Sequence, residues 1–285
     1  MCQIIDGKEV AEKIRKDLKR EVEKLNKENC FPKLAVILVG QDPASKIYVN
    51  LKSKACDEVG IKYEEYLLDE NTQMEELLDL IWKLNKNPEI HGILLQSPIP
   101  RHLDANLAFK TIYEEKDVDG FNPKNIGRLS MGHDCLIPCT PYGVVKMLEY
   151  YNIDAEGKNV VILGRSNIVG KPMLQCMLNK NATVTVCHSK TNNLEQYTTQ
   201  ADILISAIGK PNFVTKDMVK QGAVVIDVGI NRLESGKVVG DVDFEEVSKK
   251  ASYITPVPGG VGPMTITMLM HNVIKASKLC EDIVY

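Results

Sequence analysis

No apolar run in the 285 residues approaches the roughly 20 residues needed to span a membrane. Charge of one sign is not in excess either: 35 basic and 38 acidic residues leave a formal net charge of −3. No basic surplus points to nucleic acid, and no acidic tail points to disorder. The eight cysteines include no CxxC pair and no repeating spacing. They read as reduced thiols in a cytoplasmic protein rather than as a disulfide framework. His133, Cys135 and Cys139 are close enough in sequence to raise a metal site. A structural zinc site usually needs ligands in paired clusters, so no metal is expected. The amino terminus turns polar by its sixth residue, Asp6, and lacks the apolar stretch of a signal peptide. There is no internal repeat and no low-complexity tract. What remains is an ordinary globular composition, 44% hydrophobic, in a chain long enough for one large domain or two.

Helix and strand patterns alternate along the chain. Val10, Ile14, Leu18, Val22 and Leu25 recur at helical spacing, which predicts an amphipathic helix over 7–29. The apolar run 34–39 suits a buried parallel strand, and a helix from about Pro43 to Val59 follows, with Pro at its start and Gly60 as its stop. A second strand is expected over 63–68, a helix capped by Thr72 to Leu84, and a third strand over 90–95. After a Gly-, Pro- and Asn-bearing stretch from Lys116 to Pro141 the rhythm resumes. A helix is expected from Pro141 to about Tyr150, then strands over 159–163, 183–187, 203–207 and 224–228. A final helix starts near Met264. This is the pattern of a doubly wound α/β protein with a parallel sheet.

The strand 159–163 runs directly into Gly164-Arg165-Ser166-x-x-x-Gly170, which opens a helix. A dinucleotide-binding turn belongs at such a place, because glycine lets the backbone approach a pyrophosphate and the helix supplies free N–H groups. Ser166 stands where the middle glycine of the usual pattern would be, and a plain strand-to-helix turn would look similar. The next strand does not end in the acidic residue that meets the ribose of NAD; it ends Cys187-His188-Ser189-Lys190. Arg165, Ser189 and Lys190 suit a 2′-phosphate instead, which favours NADP, although Lys190 also reads as a solvated surface charge.

Ser45, Tyr48, Val49 and Lys52 share one face of the 43–59 helix. Spacing alone reads the tyrosine and lysine as a surface pair with snorkelling side chains. Yet this helix starts at the carboxyl edge of a parallel strand, where such sheets bind ligands, and Gln96 and Asp119 follow segments that could reach the same edge. Periodicity leaves open whether they converge.

Seven stretches, taken together, resemble the bifunctional methylenetetrahydrofolate dehydrogenase/cyclohydrolases of the FolD type. They are Gly40-x-Asp42-Pro43-Ala44-Ser45-x-x-Tyr48-Val49-x-x-Lys52, Gly92-Ile93-Leu94-Leu95-Gln96-Ser97-Pro98-Ile99-Pro100, Lys116-Asp117-Val118-Asp119-Gly120-Phe121, Pro138-Cys139-Thr140-Pro141, the turn 164–172, Cys187-His188-Ser189-Lys190-Thr191 and the loop from Thr255 to Thr265. The resemblance implies an amino-terminal α/β catalytic domain over 1–138, joined by a returning carboxyl-terminal helix 264–285, and a Rossmann-type NADP-binding domain over 139–263. It implies oxidation of methylenetetrahydrofolate with NADP and hydrolysis of the methenyl product to 10-formyltetrahydrofolate. Lys52 would be the acid/base, Gln96 its partner, and Tyr48 and Asp119 would join them in catalysis and folate binding. Ser45, Pro258 and Gly259 would touch the substrate. Gly164, Arg165, Ser166, Ser189 and Ile230 would touch NADP. A soluble cytoplasmic homodimer with a small-molecule substrate, and with no nucleic-acid or membrane partner, is the expectation that follows. Shikimate or amino-acid dehydrogenases of similar architecture, and a non-catalytic folate- or nucleotide-binding protein, are the competing readings.

Overall fold

The computed structural model describes residues 2–282. In chain order its strands are β1 Gln3–Ile4, β2 Lys33–Val39, β3 Lys62–Leu68, β4 Gly92–Leu95, β5 Asn159–Leu163, β6 Thr183–Cys187, β7 Ile203–Ser206, β8 Val224–Asp227, β9 Asn231–Arg232, β10 Val238–Val239 and β11 Tyr253–Ile254. Its helices are α1 Gly7–Lys27, α2 Pro43–Val59, α3 Met74–Lys86, α4 Ala105–Thr111, α5 Pro123–Ser130, α6 Cys139–Tyr150, α7 Gly170–Leu178, α8 Leu194–Thr198, α9 Phe244–Val247 and α10 Val261–Asp282.

Two compact units divide the chain. The first takes Lys13–Cys139 and the residues from Ile266 onward. Its three-stranded parallel sheet has the order β3-β2-β4. All residues of β4, and those of β2 after Lys33, are buried, as expected of strands covered on both faces. Leu77, Ile81 and Leu84 of α3 pack with Ile37, Ile93 and Leu95 in one cluster. Burying each such side chain contributes roughly 1.5–3 kcal/mol. Asp42 caps α2 by accepting the Ser45 N–H at 2.7 Å, and Gly60 ends the helix at φ +90°.

The second unit takes the residues up to Glu12 and Thr140–Thr265. Its six-stranded parallel sheet has the order β1-β11-β8-β7-β5-β6. Val161, Leu163, Leu204, Val225 and Ile254 form its core with Val214, Val219 and Val247.

Residues 1–12 cluster with the second unit, because β1 extends its sheet: the Gln3 and Ile5 N–H groups donate to the carbonyls of Ser252 and Ile254. Thr72 does not cap α3; Gln73 holds that position without a side-chain bond, and the Thr72 carbonyl instead pairs with His102 Nε2 at 3.0 Å. The Lys116–Pro141 stretch is more than a junction: Asn122 caps α5 through the Lys124 N–H, with Pro123 at its first position. The last three residues of the expected helix 264–285 lie outside the described residues.

Candidate active site

In the first unit the sheet register assembles a polar cluster. Ile93 of β4 bridges in parallel to Asp117, and the chain turns at once, the Gly120 N–H donating to the Asp117 carbonyl at 2.9 Å, so that Asp119 sits in a turn beside β4. The Gln96 N–H continues the ladder by donating to the Ile37 carbonyl at 2.9 Å. From the helix that follows β2, Lys52 Nζ reaches the Gln96 Oε1 at 2.8 Å. The other end of the Gln96 amide donates to the Ser97 carbonyl at 2.6 Å, so its oxygen faces the lysine. Burial holds the Lys52 ammonium below its ordinary range, opposed by the nearby Asp119 carboxylate. Burial likewise raises Asp119, while the Lys52 charge and the neighbouring Cys139 thiol pull it back. Lys52, Gln96 and Asp119 are thus brought together.

Tyr48 lies one turn before Lys52 and is 39% exposed, a ring open to a ligand. Ser45 is buried, and its hydroxyl meets no hydrogen-bond partner among the described residues. Pro258 and Gly259 belong to the second unit, in a turn that follows β11.

Sequence reasoning missed three residues here. Cys139, a candidate metal ligand by its spacing to His133 and Cys135, instead donates its thiol proton to the Val118 carbonyl at 3.2 Å. Among the described residues no group of three or more His, Cys, Asp or Glu could hold a metal ion. Asn272 of α10, 1% exposed, donates to the carbonyls of Val118 and Ile137, both at 2.8 Å. Asp117 accepts the Phe121 and Asn122 N–H groups and the Asn125 amide. Together they fix the peptide that carries Asp119. The Pro138–Pro141 and Lys116–Phe121 motifs signal two of them; helix periodicity gives no signal for Asn272.

In the second unit the order β8-β7-β5-β6 sets four loops side by side at one carboxyl edge. Gly164 N donates to Cys187 O and Ala207 N to Leu163 O, both at 2.8 Å. Ile230, Gly209, Gly164–Ser166 and Ser189 therefore line that edge. A Cβ on Gly164 would lie 2.3 Å from the Ala207 carbonyl oxygen, and one on Gly170 would lie 2.2 Å from that of Gly164. Such a cradle, closed to any larger residue, fits the close approach of a dinucleotide. Ser166 explains the departure from the usual glycine pattern: its hydroxyl accepts the N–H groups of Val169 at 3.1 Å and Gly170 at 3.4 Å, capping α7 from within the turn. Arg165, Ser189 and Lys190 are exposed, and the Ser189–Lys190 turn is held by His188, whose Nδ1 accepts the Lys190 N–H.

Residues 5–119 match the tetrahydrofolate dehydrogenase/cyclohydrolase catalytic domain, and residues 138–281 match the NAD(P)-binding domain of the same family. The chain belongs to the tetrahydrofolate dehydrogenase/cyclohydrolase family. The bifunctional protein FolD of Campylobacter hominis is 56% identical over 276 residues, 97% of each chain. The bifunctional FolD methylenetetrahydrofolate dehydrogenase/cyclohydrolase of Campylobacter jejuni superimposes with a TM-score of 0.97 at 55% identity, covering 98% of this chain and 99% of that one. The Trypanosoma brucei FolD, solved with NADP and an inhibitor, gives 0.93 at 38% identity and 98% coverage of each. This family membership also decides against the shikimate and amino-acid dehydrogenases.

Proposed function

We propose that the Lys52–Gln96–Asp119 cluster is the folate site of a bifunctional enzyme. The enzyme oxidises 5,10-methylenetetrahydrofolate to the 5,10-methenyl cation with NADP and hydrolyses that cation to 10-formyltetrahydrofolate. The observation that carries the reading is the 2.8 Å contact between Lys52 and Gln96, with the partly buried Asp119 carboxylate in the field of the lysine. In the hydrolytic step water adds to the methenyl carbon and must lose a proton. A neutral Lys52 amine accepts it, and the same group returns it as the ring opens. Burial favours that neutral form, and the cationic substrate favours it further. Gln96 holds the amine in place. Asp119, acceptor-only when ionised, receives ring N–H groups of the pterin. Tyr48 offers a face on which the folate stacks, and Ser45 adds to its binding; Pro258 and Gly259, on the second unit, are further candidates for contact with the substrate.

NADP, when bound, supplies the hydride acceptor for the first step, which needs alignment but no acid or base. Gly164, Arg165, Ser166, Ser189 and Ile230 would hold it, with Arg165 and Ser189 toward the 2′-phosphate. The folate domain of this reading is 1–138 with the carboxyl-terminal helix 264–285, and the NADP domain is 139–263.

Among the described residues no helix is long and apolar enough to cross a membrane. A cytoplasmic homodimer is the assembly this reading favours. Its support is β3, an edge strand of seven residues on which Leu67 is 63% exposed. Sedimentation at a mass near one protomer would overturn the dimer. The function itself is tested by supplying methylenetetrahydrofolate with NADP or NAD and following methenyl formation and its hydrolysis separately. Absence of either reaction refutes that half of the assignment.

A further inference from the structure

The second unit contains two buried carboxylates that the folate chemistry does not use. Asp241 is fully buried. Its Oδ2 accepts from the Ser206 hydroxyl at 3.2 Å, the Ile208 N–H at 2.8 Å and the Gly209 N–H at 3.2 Å. Its Oδ1 accepts from the Lys210 N–H and the Asn231 amide, both at 2.9 Å. Asp227, at the end of β8, supports it by accepting the N–H groups of Gly229, Asp241 and Val242 at 2.9 to 3.0 Å. Both oxygens are packed so closely that a Cβ on Gly229 would fall 2.2 Å from Asp241 Oδ1 and one on Gly240 would fall 1.9 Å from Asp227 Oδ2.

These donors come from particular places. Ile208–Lys210 is the loop after β7, and Asn231 follows the loop after β8. Both loops stand at the carboxyl edge beside the Gly164 turn, whose glycine abuts the Ala207 carbonyl. Ile230, held next to Asn231, is 52% exposed and its tip lies 3.8 Å from where a Gly262 Cβ would be. A buried carboxyl group therefore gathers main-chain N–H groups of the kind that elsewhere cradle phosphate.

We propose that Asp241 is a positioning residue for NADP: by tying the β7 and β8 loops to one carboxylate, it fixes the wall of the cofactor edge and the outward set of Ile230. It touches no reacting atom. The inference rests on the reading that this edge takes NADP. Uncharged amide cannot replace it, because whichever oxygen of Asp241 becomes an NH₂ faces donors already. A buried donor left without its acceptor destabilises the native form of the loops that carry it.

NADP affinity is measured by titration calorimetry for Asp241→Asn, Asn231→Ala and Gly164→Ala, with NADP KM and with cyclohydrolase turnover, which needs no cofactor. Asp241→Asn is expected to weaken NADP at least about tenfold while cyclohydrolase kcat/KM stays unchanged, and Asn231→Ala to shift the same way by less. Gly164→Ala checks the underlying reading: if it leaves NADP affinity intact, the edge assignment fails and the inference with it. If Gly164→Ala weakens NADP but Asp241→Asn stays within about twofold of the native enzyme, the positioning role alone is overturned. If Asp241→Asn loses both activities through misfolding, Asn231→Ala decides, and native NADP affinity in that variant overturns the role.

Discussion

Lys52 Nζ on α2 and Gln96 Oε1 beyond β4 meet at 2.8 Å, although 44 residues separate them in the chain. The contact is neutral on one side, so it orients the lysine without holding its proton. A carboxylate at the same distance would favour the ammonium strongly. Asp119 supplies part of that field already, and burial opposes it. The amine thus sits in a place where loss of its proton is made easier by burial and kept reversible by a nearby charge.

Replacing Lys52 by Met removes the proton acceptor and keeps the apolar stem. Cyclohydrolase turnover should fall by about 10²- to 10⁴-fold, the usual contribution of a general acid/base. NADP affinity should remain native. Full cyclohydrolase activity in a stopped hydrolysis assay of the Met variant would sink the assignment of Lys52.

Gln96→Glu tests the neutrality of the partner. The new carboxylate raises the Lys52 pKa, so the neutral amine forms only at higher pH. The acidic limb of the cyclohydrolase pH–kcat profile should move upward by about one unit or more. Activity near neutrality should drop and recover on the alkaline side. A profile that does not move, with activity intact, would mean that Gln96 does not tune the lysine.

Much of this site could be read before any coordinates, for a physical reason. Strands covered on both faces leave continuous apolar runs, so β2, β4 and β5 announce themselves, and the helix or turn after each marks the carboxyl edge. Side chains held by local spacing, such as Tyr48 and Lys52, share a face that the sequence displays. What spacing hides is anything built by main-chain bonds across the chain. The strand β1 is two exposed residues with no apolar signal, yet it fixes where residues 1–12 belong. Asn272 and Asp241 act by gathering backbone groups from loops far away in sequence, and a polar residue's role as such an anchor has no periodicity.

Gly170→Ala probes the cofactor turn. Its Cβ would fall 2.2 Å from the Gly164 carbonyl oxygen, and both are backbone-bound, so the turn must open. The dehydrogenase KM for NADP should rise at least about tenfold, with roughly 1–3 kcal/mol lost from stability through overpacking. The cyclohydrolase, which uses no cofactor, should keep its turnover in the folded fraction. An unchanged NADP KM, measured over a full saturation curve, would refute the cradle.

Asp117 gives the fold a pH dependence of defined sign. Burial pushes its carboxyl from the ordinary 3.8 up to about 7, against hydrogen bonds from Asn125, Asn122 and Phe121 and with the like charge of Asp119 adding to the rise. A raised pKa means that folding favours the protonated form. That contribution is present in full below about pH 4 and fades as pH climbs through about 7. The size is bounded by roughly 4 kcal/mol, from about three pKa units. Asn at this position does not titrate; its NH₂ meets a donor at whichever oxygen it replaces, a cost that is the same at every pH. The stability gap between native enzyme and Asp117→Asn, from urea melts at a series of pH values, should therefore narrow or reverse in favour of Asn as pH rises from about 4 to 8. A gap that stays constant across that range would show that Asp117 is ionised throughout, held so by its donors.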